Sequence, residues 1–221
     1  MTDIAQILSW IEKTRRPVGA AEYRHAGTPA HHAAIDEGLT ELAAFGVDAP
    51  LRFVWSIDGS GVEEDAPWVV HLHRGMLAGD RAPRRVLDMS ERIAAIDLRA
   101  AVRHEIGHAL LFADPRASRT AGFRALFGDT SRRYRVGGAL AEITRRVDRH
   151  GGLANPRYRG VVSLYAATHP HERFAEAVRV ALATRGDDGA IAAWAVRHGT
   201  DDRVMAQIAY AADWLGRYGR R

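Results

Sequence analysis

The sequence predicts an α+β fold in which a small mixed lobe precedes a mainly helical lobe. Three observations predict it: apolar residues at helical spacing near the start, strand-like sequence between residues 51 and 89, and only helical periodicity from about residue 97 onward. The 221 residues suit a single catalytic domain over 1–221, with an N-terminal α/β lobe over 1–96 and a helical lobe over 97–221.

The N-terminal lobe is expected to hold two helices and a short three-stranded sheet. The first helix is predicted over 3–15. A second begins at Thr28-Pro29, because threonine caps helices and proline suits the first turn. The first strand is followed by the loop Asp58-Gly-Ser-Gly. The three strands are predicted at Leu51–Ile57, Trp68–His73 and Arg84–Met89.

The composition restricts the chemistry that the chain can perform. It contains no cysteine, which excludes disulfides, iron–sulfur clusters, thiolate zinc sites and cysteine nucleophiles. Any metal ion must therefore be held by histidine, aspartate, glutamate or backbone oxygen, and 11 histidines are available.

The net charge of +4 is distributed unevenly along the chain. Residues 131–160 carry eight arginines against Glu142 and Asp148, which gives +6 in this stretch alone. The pattern favours a pair of solvated helices over a basic rim that selects acidic peptides or contacts nucleic acid, so no nucleic-acid partner is predicted.

The N-terminal residues do not resemble a targeting segment. Asp3 stands where a secretory signal carries positive charge. No continuous apolar stretch of the sequence is long enough to cross a bilayer. The sequence predicts a soluble cytoplasmic protein with no membrane partner.

The segment His104-Glu-Ile-Gly-His108 is the central motif. On a helix, two histidines four residues apart project from one face and can bind one zinc ion, and Glu105 lies beside them, in position to act on a water molecule. Neighbouring apolar residues such as Val102 and Ile106 indicate a buried helix, where two histidines and a glutamate without a function would be costly.

A catalytic zinc ion needs a third protein ligand and one open position. Glu172 is the preferred candidate, because Pro170 starts a helix on which Glu172 and Glu176 share a face. One carboxylate of this pair can bind the metal and the other can orient a ligand histidine. Asp114 and Glu142 remain alternatives.

The two segments His104-Glu-Ile-Gly-His-Ala-Leu and Tyr165-x6-Glu172-Arg-Phe-Ala-Glu176-Ala resemble a branch of the gluzincin metallopeptidases. This branch contains the lethal factor catalytic domain and the Pro-Pro endopeptidases. The resemblance implies zinc ligands at His104, His108 and Glu172. It also implies a general base at Glu105, an oxyanion-facing Tyr165, and Glu176 as the partner of a ligand histidine.

These features predict a zinc-dependent metallopeptidase that acts on a peptide or protein substrate. One alternative is a zinc hydrolase for a small non-peptide amide or biosynthetic intermediate. A closed pocket above the site would favour it, whereas an open groove beside an edge strand, for which Arg84–Met89 is the candidate, would favour peptides. Another alternative is a basic binding or regulatory module without turnover, but the intact Glu105 argues against it.

Overall fold

A computed structural model describes residues 29–56, 60–73, 98–131, 160–163 and 165–220. Within these residues a small sheet near the N-terminal side is followed by mostly helical chain, so the α+β prediction is confirmed. The helices are α1 (Pro29–Ala44), α2 (Leu98–Ala113), α3 (Ala121–Phe127), α4 (Pro170–Ala183), α5 (Asp188–His198) and α6 (Asp202–Tyr218). The strands are β1 (Arg52–Ser56), β2 (Gly61–Val62) and β3 (Val69–His73).

The sheet is mixed and has the strand order β1-β3-β2. The outer strand β1 runs parallel to β3, with Arg52 opposite Val69, and the short β2 runs antiparallel to β3, with Val62 opposite Val70. In β3, Val70 and Leu72 are buried and belong to the same apolar cluster as the residues of α2. The sheet therefore packs against the helix that carries the central motif.

Within the described residues, the observed sheet contains one strand that the sequence did not predict. Two predicted strands correspond to β1 and β3, but β2 begins at Gly61, inside the predicted loop, so the loop prediction was wrong at that residue. A ladder of two residues has no period of its own, and only its pairing with His71 and Val70 defines it. The predicted strand Arg84–Met89 and the predicted helix over 3–15 lie outside the described residues.

Helix α1 begins at Pro29, as predicted, and is followed by a turn in which Gly46 has a φ of +76°, a value that favours glycine. Its buried face contacts α2 closely. A Cβ atom at Gly38 would lie 2.8 Å from Cγ1 of Val102, so glycine allows the two helices to approach at this point.

The C-terminal helices begin and end at residues of the expected types. Asp187 caps α5 by accepting a hydrogen bond from the Ala190 backbone N–H at 2.7 Å, and Asp201 caps α6 in the same way through Val204 at 3.1 Å. Gly199, with a φ of +61°, ends α5. After this turn α6 packs against α4.

A cluster of aromatic side chains fills the space between α3, α4 and α6. Phe123 and Phe127 of α3 contact Phe174 of α4, whose ring in turn meets Trp214 of α6 at 5.1 Å between centroids. This packing fixes α4 against the rest of the helical lobe. In the described part of the chain, none of the helices combines the length and apolar character that a bilayer crossing requires.

Candidate metal centre

Helix α2 carries the His104-Glu-Ile-Gly-His108 motif in its middle. The four-residue spacing brings both imidazoles to one side of the helix, and their ring centroids lie 4.8 Å apart. Both histidines and Glu105 are buried, and their apolar neighbours Val102 and Ile106 have no exposed surface. The motif therefore lies within the core of the molecule.

Helix α4 lies across the motif and supplies two buried carboxylates, Glu172 and Glu176. Its start is defined by Pro170 in the first turn and by His169, whose Nδ1 accepts a hydrogen bond from the His171 backbone N–H at 3.2 Å. The two helices meet closely at Gly107. A Cβ atom there would lie 2.8 Å from the Ala175 Cα, which is backbone, so only glycine fits at this crossing.

Three side-chain atoms converge where these helices meet. His104 Nε2 and His108 Nε2 lie 3.0 and 3.1 Å from the same oxygen, Glu172 Oε2, and the two nitrogens are 3.1 Å apart. We call these three residues the His–His–Glu cluster. Within the described ranges it is the one group of three or more histidine, cysteine or acidic side chains whose atoms converge in this way.

The His–His–Glu cluster fits a zinc ion. Zinc binds nitrogen and carboxylate oxygen at about 2.0–2.2 Å, so two ligands of a tetrahedral ion lie about 3.4 Å apart. The observed separations of 3.0–3.1 Å are close to this value. Three protein ligands also leave a fourth position for water or substrate, which is typical of catalytic rather than structural zinc sites.

Glu176 lies behind the cluster and contacts His104 from the other side. Its Oε1 is 2.9 Å from His104 Nδ1, and both of its oxygens accept hydrogen bonds from Arg179, at 3.1 and 3.0 Å. A carboxylate at Nδ1 accepts a hydrogen bond from that nitrogen and orients the ring so that Nε2 faces the cluster.

His108 is oriented by a different contact. Among the described residues its Nδ1 has no hydrogen-bond partner, and its ring stacks on Phe112 at 5.6 Å between centroids. Phe112 also meets the edge of the His171 ring at 5.2 Å. One motif histidine is thus held by a carboxylate and the other by an aromatic ring.

Glu105 is not part of the His–His–Glu cluster. Its Oε2 is buried and has no hydrogen-bond partner in the described part of the chain. Burial raises the pKa of this carboxyl group above its usual value. A buried carboxylate oxygen without a partner among the described residues is unusual, because such groups are normally hydrogen-bonded.

The buried charges of the centre shift the pKa values of their neighbours. Burial lowers the pKa of His104, but its contacts with Glu172 and Glu176 outweigh this effect and raise the value to about 10. Burial raises the pKa of Glu172, but the two histidines hold it well below its usual range. Burial likewise opposes ionisation of Glu176, but Arg179 and His104 lower its pKa to about 2.

The remaining predicted site residues are located as follows. Asp114 follows the end of α2 and is not part of the cluster; it lines a pocket of about 480 Å³ together with Asp48 and Tyr218. The backbone of Tyr165 forms a 3₁₀ turn with Ala166 and Ala167 just before α4. The Tyr165 side chain, Glu142 and the basic segment over 132–159 lie outside what the structure describes.

The sequence analysis did not identify two residues that support the site, Arg179 and Phe112. Arg179 lies three residues after Glu176, and this spacing of opposite charges on a helix could have indicated the ion pair. Phe112 lies four residues after His108 and so stacks on it.

A comparison with protein families supports this picture. Residues 81–212, more than half of the chain, match the family described as "putative zinc-binding metallo-peptidase", and the chain belongs to this family. The match includes both the motif helix and the helix that carries Glu172. No curated protein and no solved structure is similar enough to match.

Proposed function

From the membership of this zinc-binding metallopeptidase family, we propose that the chain hydrolyses peptide bonds at a zinc centre held by His104, His108 and Glu172. This ligand set is that of the gluzincin type. The observation that carries the proposal is the convergence of two imidazole nitrogens and one carboxylate oxygen within 3.1 Å of one another, in buried positions. The substrate class, peptide or protein, follows from the family.

A zinc ion held by His104, His108 and Glu172 would act as a Lewis acid towards the scissile carbonyl and would lower the pKa of the attacking water. Glu105 is the general base: it accepts the proton of the attacking water on its carboxylate and delivers it to the leaving amine. Its free, buried Oε2 supports this role, and so does its raised pKa, because a group that first accepts and then donates a proton works best near the operating pH.

The other residues bind and orient. Glu176 keeps the His104 ring in position through Nδ1, and the Phe112 ring restricts the motion of His108. We assign to Tyr165 a hydrogen bond to the developing oxyanion. Its turn is tethered to α4, because Arg173 donates hydrogen bonds to the Ala166 carbonyl at 3.4 Å and to the Phe127 carbonyl at 3.2 Å.

The proposal is tested by the Glu105→Gln variant. Glutamine keeps the size of the side chain but cannot accept the proton, so turnover of a peptide library should fall by about 10²–10⁴-fold while zinc stays bound. Cleavage is followed by mass spectrometry and zinc content by elemental analysis. Glu63→Gln, a change of the same kind at an exposed position, is the control and should cleave like the wild type. Full activity of Glu105→Gln would overturn the assignment.

A further inference from the structure

Glu176 has an unusual environment for a carboxylate. It is entirely buried, and it lies in the middle of helix α4 with apolar residues such as Phe174 and Val178 around it. A carboxylate at such a position is costly unless it is paired and hydrogen-bonded. Its contact with His104 occupies only one of its two oxygens.

Arg179 supplies the missing partner. Its Nε donates to Glu176 Oε1 at 3.1 Å and its Nη2 donates to Oε2 at 3.0 Å, so the guanidinium grips both oxygens. The Arg179 side chain is itself 12% exposed, and the geometry is the two-point pairing that arginine forms and lysine cannot. The two hydrogen bonds from Arg179 therefore fix the plane and position of the Glu176 carboxylate.

The contacts continue without a gap into the metal centre. Glu176 Oε1 accepts from Arg179 and also lies 2.9 Å from His104 Nδ1, and His104 Nε2 lies 3.0 Å from Glu172. Any movement of the carboxylate turns the imidazole, because the two share a hydrogen bond. Partners behind a ligand histidine commonly change metal affinity when they are removed.

We propose that Arg179 is a positioning residue of the metal centre: it fixes the Glu176 carboxylate, which directs His104 Nε2 at the ion, and it thereby sets the zinc affinity of the site. The inference rests on the proposed function only in so far as zinc binds to the His–His–Glu cluster.

The chain contains a matched control for this role. Arg103 of α2 pairs with Glu41 of α1 through two hydrogen bonds of 2.6 Å each, and its side chain is 13% exposed. This pair resembles Arg179–Glu176 in the burial of the arginine and in its two hydrogen bonds, and Arg103 donates a further hydrogen bond to Glu37 at 3.0 Å. Its position between α1 and α2 suits a contribution to folding.

The test measures the zinc dissociation constant by competition with a chelator, together with the visible spectrum of the Co²⁺-substituted protein. Arg179→Met should weaken zinc binding by about tenfold, near the lower end of the range for partners behind a metal ligand, and should shift the Co²⁺ bands. Arg179→Lys keeps the charge without the two-point grip and should recover part of the affinity. Arg103→Met should lower the melting temperature without changing the zinc affinity.

A double variant separates positioning from a general loss of stability. If Arg179 acts through the carboxylate, Arg179→Met should weaken zinc binding much less in a Glu176→Gln background than in the wild type. Should Arg179→Met fail to fold, the same comparison is made with Arg179→Lys. Equal zinc affinity and Co²⁺ spectra in wild type and both Arg179 variants, or full additivity with Glu176→Gln, would overturn the inference alone. A wild-type chain that binds no zinc would instead overturn the proposed function.

Discussion

Helix α2 packs against a neighbouring helix on each of two sides, in both cases with a glycine at the contact and a buried arginine–glutamate pair, yet only one side reaches the His–His–Glu cluster. Towards α1, Gly38 allows a close approach and Arg103 pairs with Glu41. Towards α4, Gly107 allows a close approach, and a second buried arginine–glutamate pair lies behind His104. The difference lies in where the carboxylates lead.

On the α1 side Arg103 pairs with both Glu41 and Glu37, and these ion pairs join the two helices. On the α4 side Glu176 continues to His104 and Glu172 completes the His–His–Glu cluster. The Arg103–Glu41 and Arg179–Glu176 pairs are similarly buried, so burial alone does not identify a functional site. What marks it is a set of buried polar atoms that converge on one point instead of pairing off.

The largest effect on zinc affinity is expected from Glu172→Ala. This change removes the carboxylate oxygen on which both imidazoles converge. Zinc affinity should therefore fall by more than the roughly 10–100-fold loss that is typical when a residue that only supports a ligand is removed. The Asp114→Ala variant is the control, because Asp114 is not part of the cluster. Chelator competition measures both; a larger loss in Asp114→Ala would show that the third ligand was misassigned.

The next effect compares the two buried carboxylates directly. Glu176→Gln should weaken zinc binding by about 10–100-fold, because a neutral amide holds the His104 proton less firmly. Glu41→Gln should leave zinc affinity unchanged and should lower the free energy of unfolding by about 1–3 kcal/mol, since Arg103 loses part of its pairing. Equal zinc affinities in the two variants would contradict the distinction between the two sides.

Zinc affinity should also depend on pH. In the metal-free protein the pKa of His104 is raised to about 10, so the ring carries an extra proton at pH 7 that zinc must displace from Nε2. One released proton means that affinity increases about tenfold for each unit of rising pH between about 7 and 8. Isothermal titration in buffers of different ionisation enthalpy counts this proton. Binding without proton release would contradict the raised pKa of His104.

The smallest expected effects compare the two glycines, Gly107 and Gly38, at which α2 closely contacts a neighbouring helix. Gly107→Ala brings a Cβ atom within 2.8 Å of the Ala175 backbone, so α4 must move, and we expect a net loss of about 1–2 kcal/mol in stability and a few-fold weaker zinc binding. Gly38→Ala meets side-chain methyl groups only, of Val102 at 2.8 Å and of Ile106 at 3.3 Å, and the gain in helix propensity offsets much of that strain. Thermal unfolding that ranks the two variants in the opposite order would show that the α4 contact is not the tighter one.

Much of the fold could be predicted because its signals are local. The spacing of His104 and His108 and the proline at the start of α4 each lie within one or two helical turns. The position of Glu172 and Glu176 on one helix face follows from their four-residue spacing, which is also a local signal.

The rest depends on contacts between distant residues. The strand β2 has only two residues and is defined by its partner β3. The approach of Gly107 to Ala175 and the pair Arg103–Glu41 join segments more than 60 residues apart, which no periodicity within a helix can indicate. The spacing of Glu176 and Arg179 is visible in the sequence, but an i,i+3 ion pair is normally exposed and contributes little. Only the structure shows that this pair is buried and therefore important.

The central statement, that one zinc ion is bound by His104, His108 and Glu172, is tested most directly by a crystal structure of the zinc-loaded protein. We expect a single ion at about 2.0–2.2 Å from the Nε2 atoms of both histidines and from a Glu172 oxygen, with water or substrate at the fourth position. An ion held elsewhere, for example by Asp48 and Asp114, or a cluster in which Glu172 does not contact the ion, would contradict it.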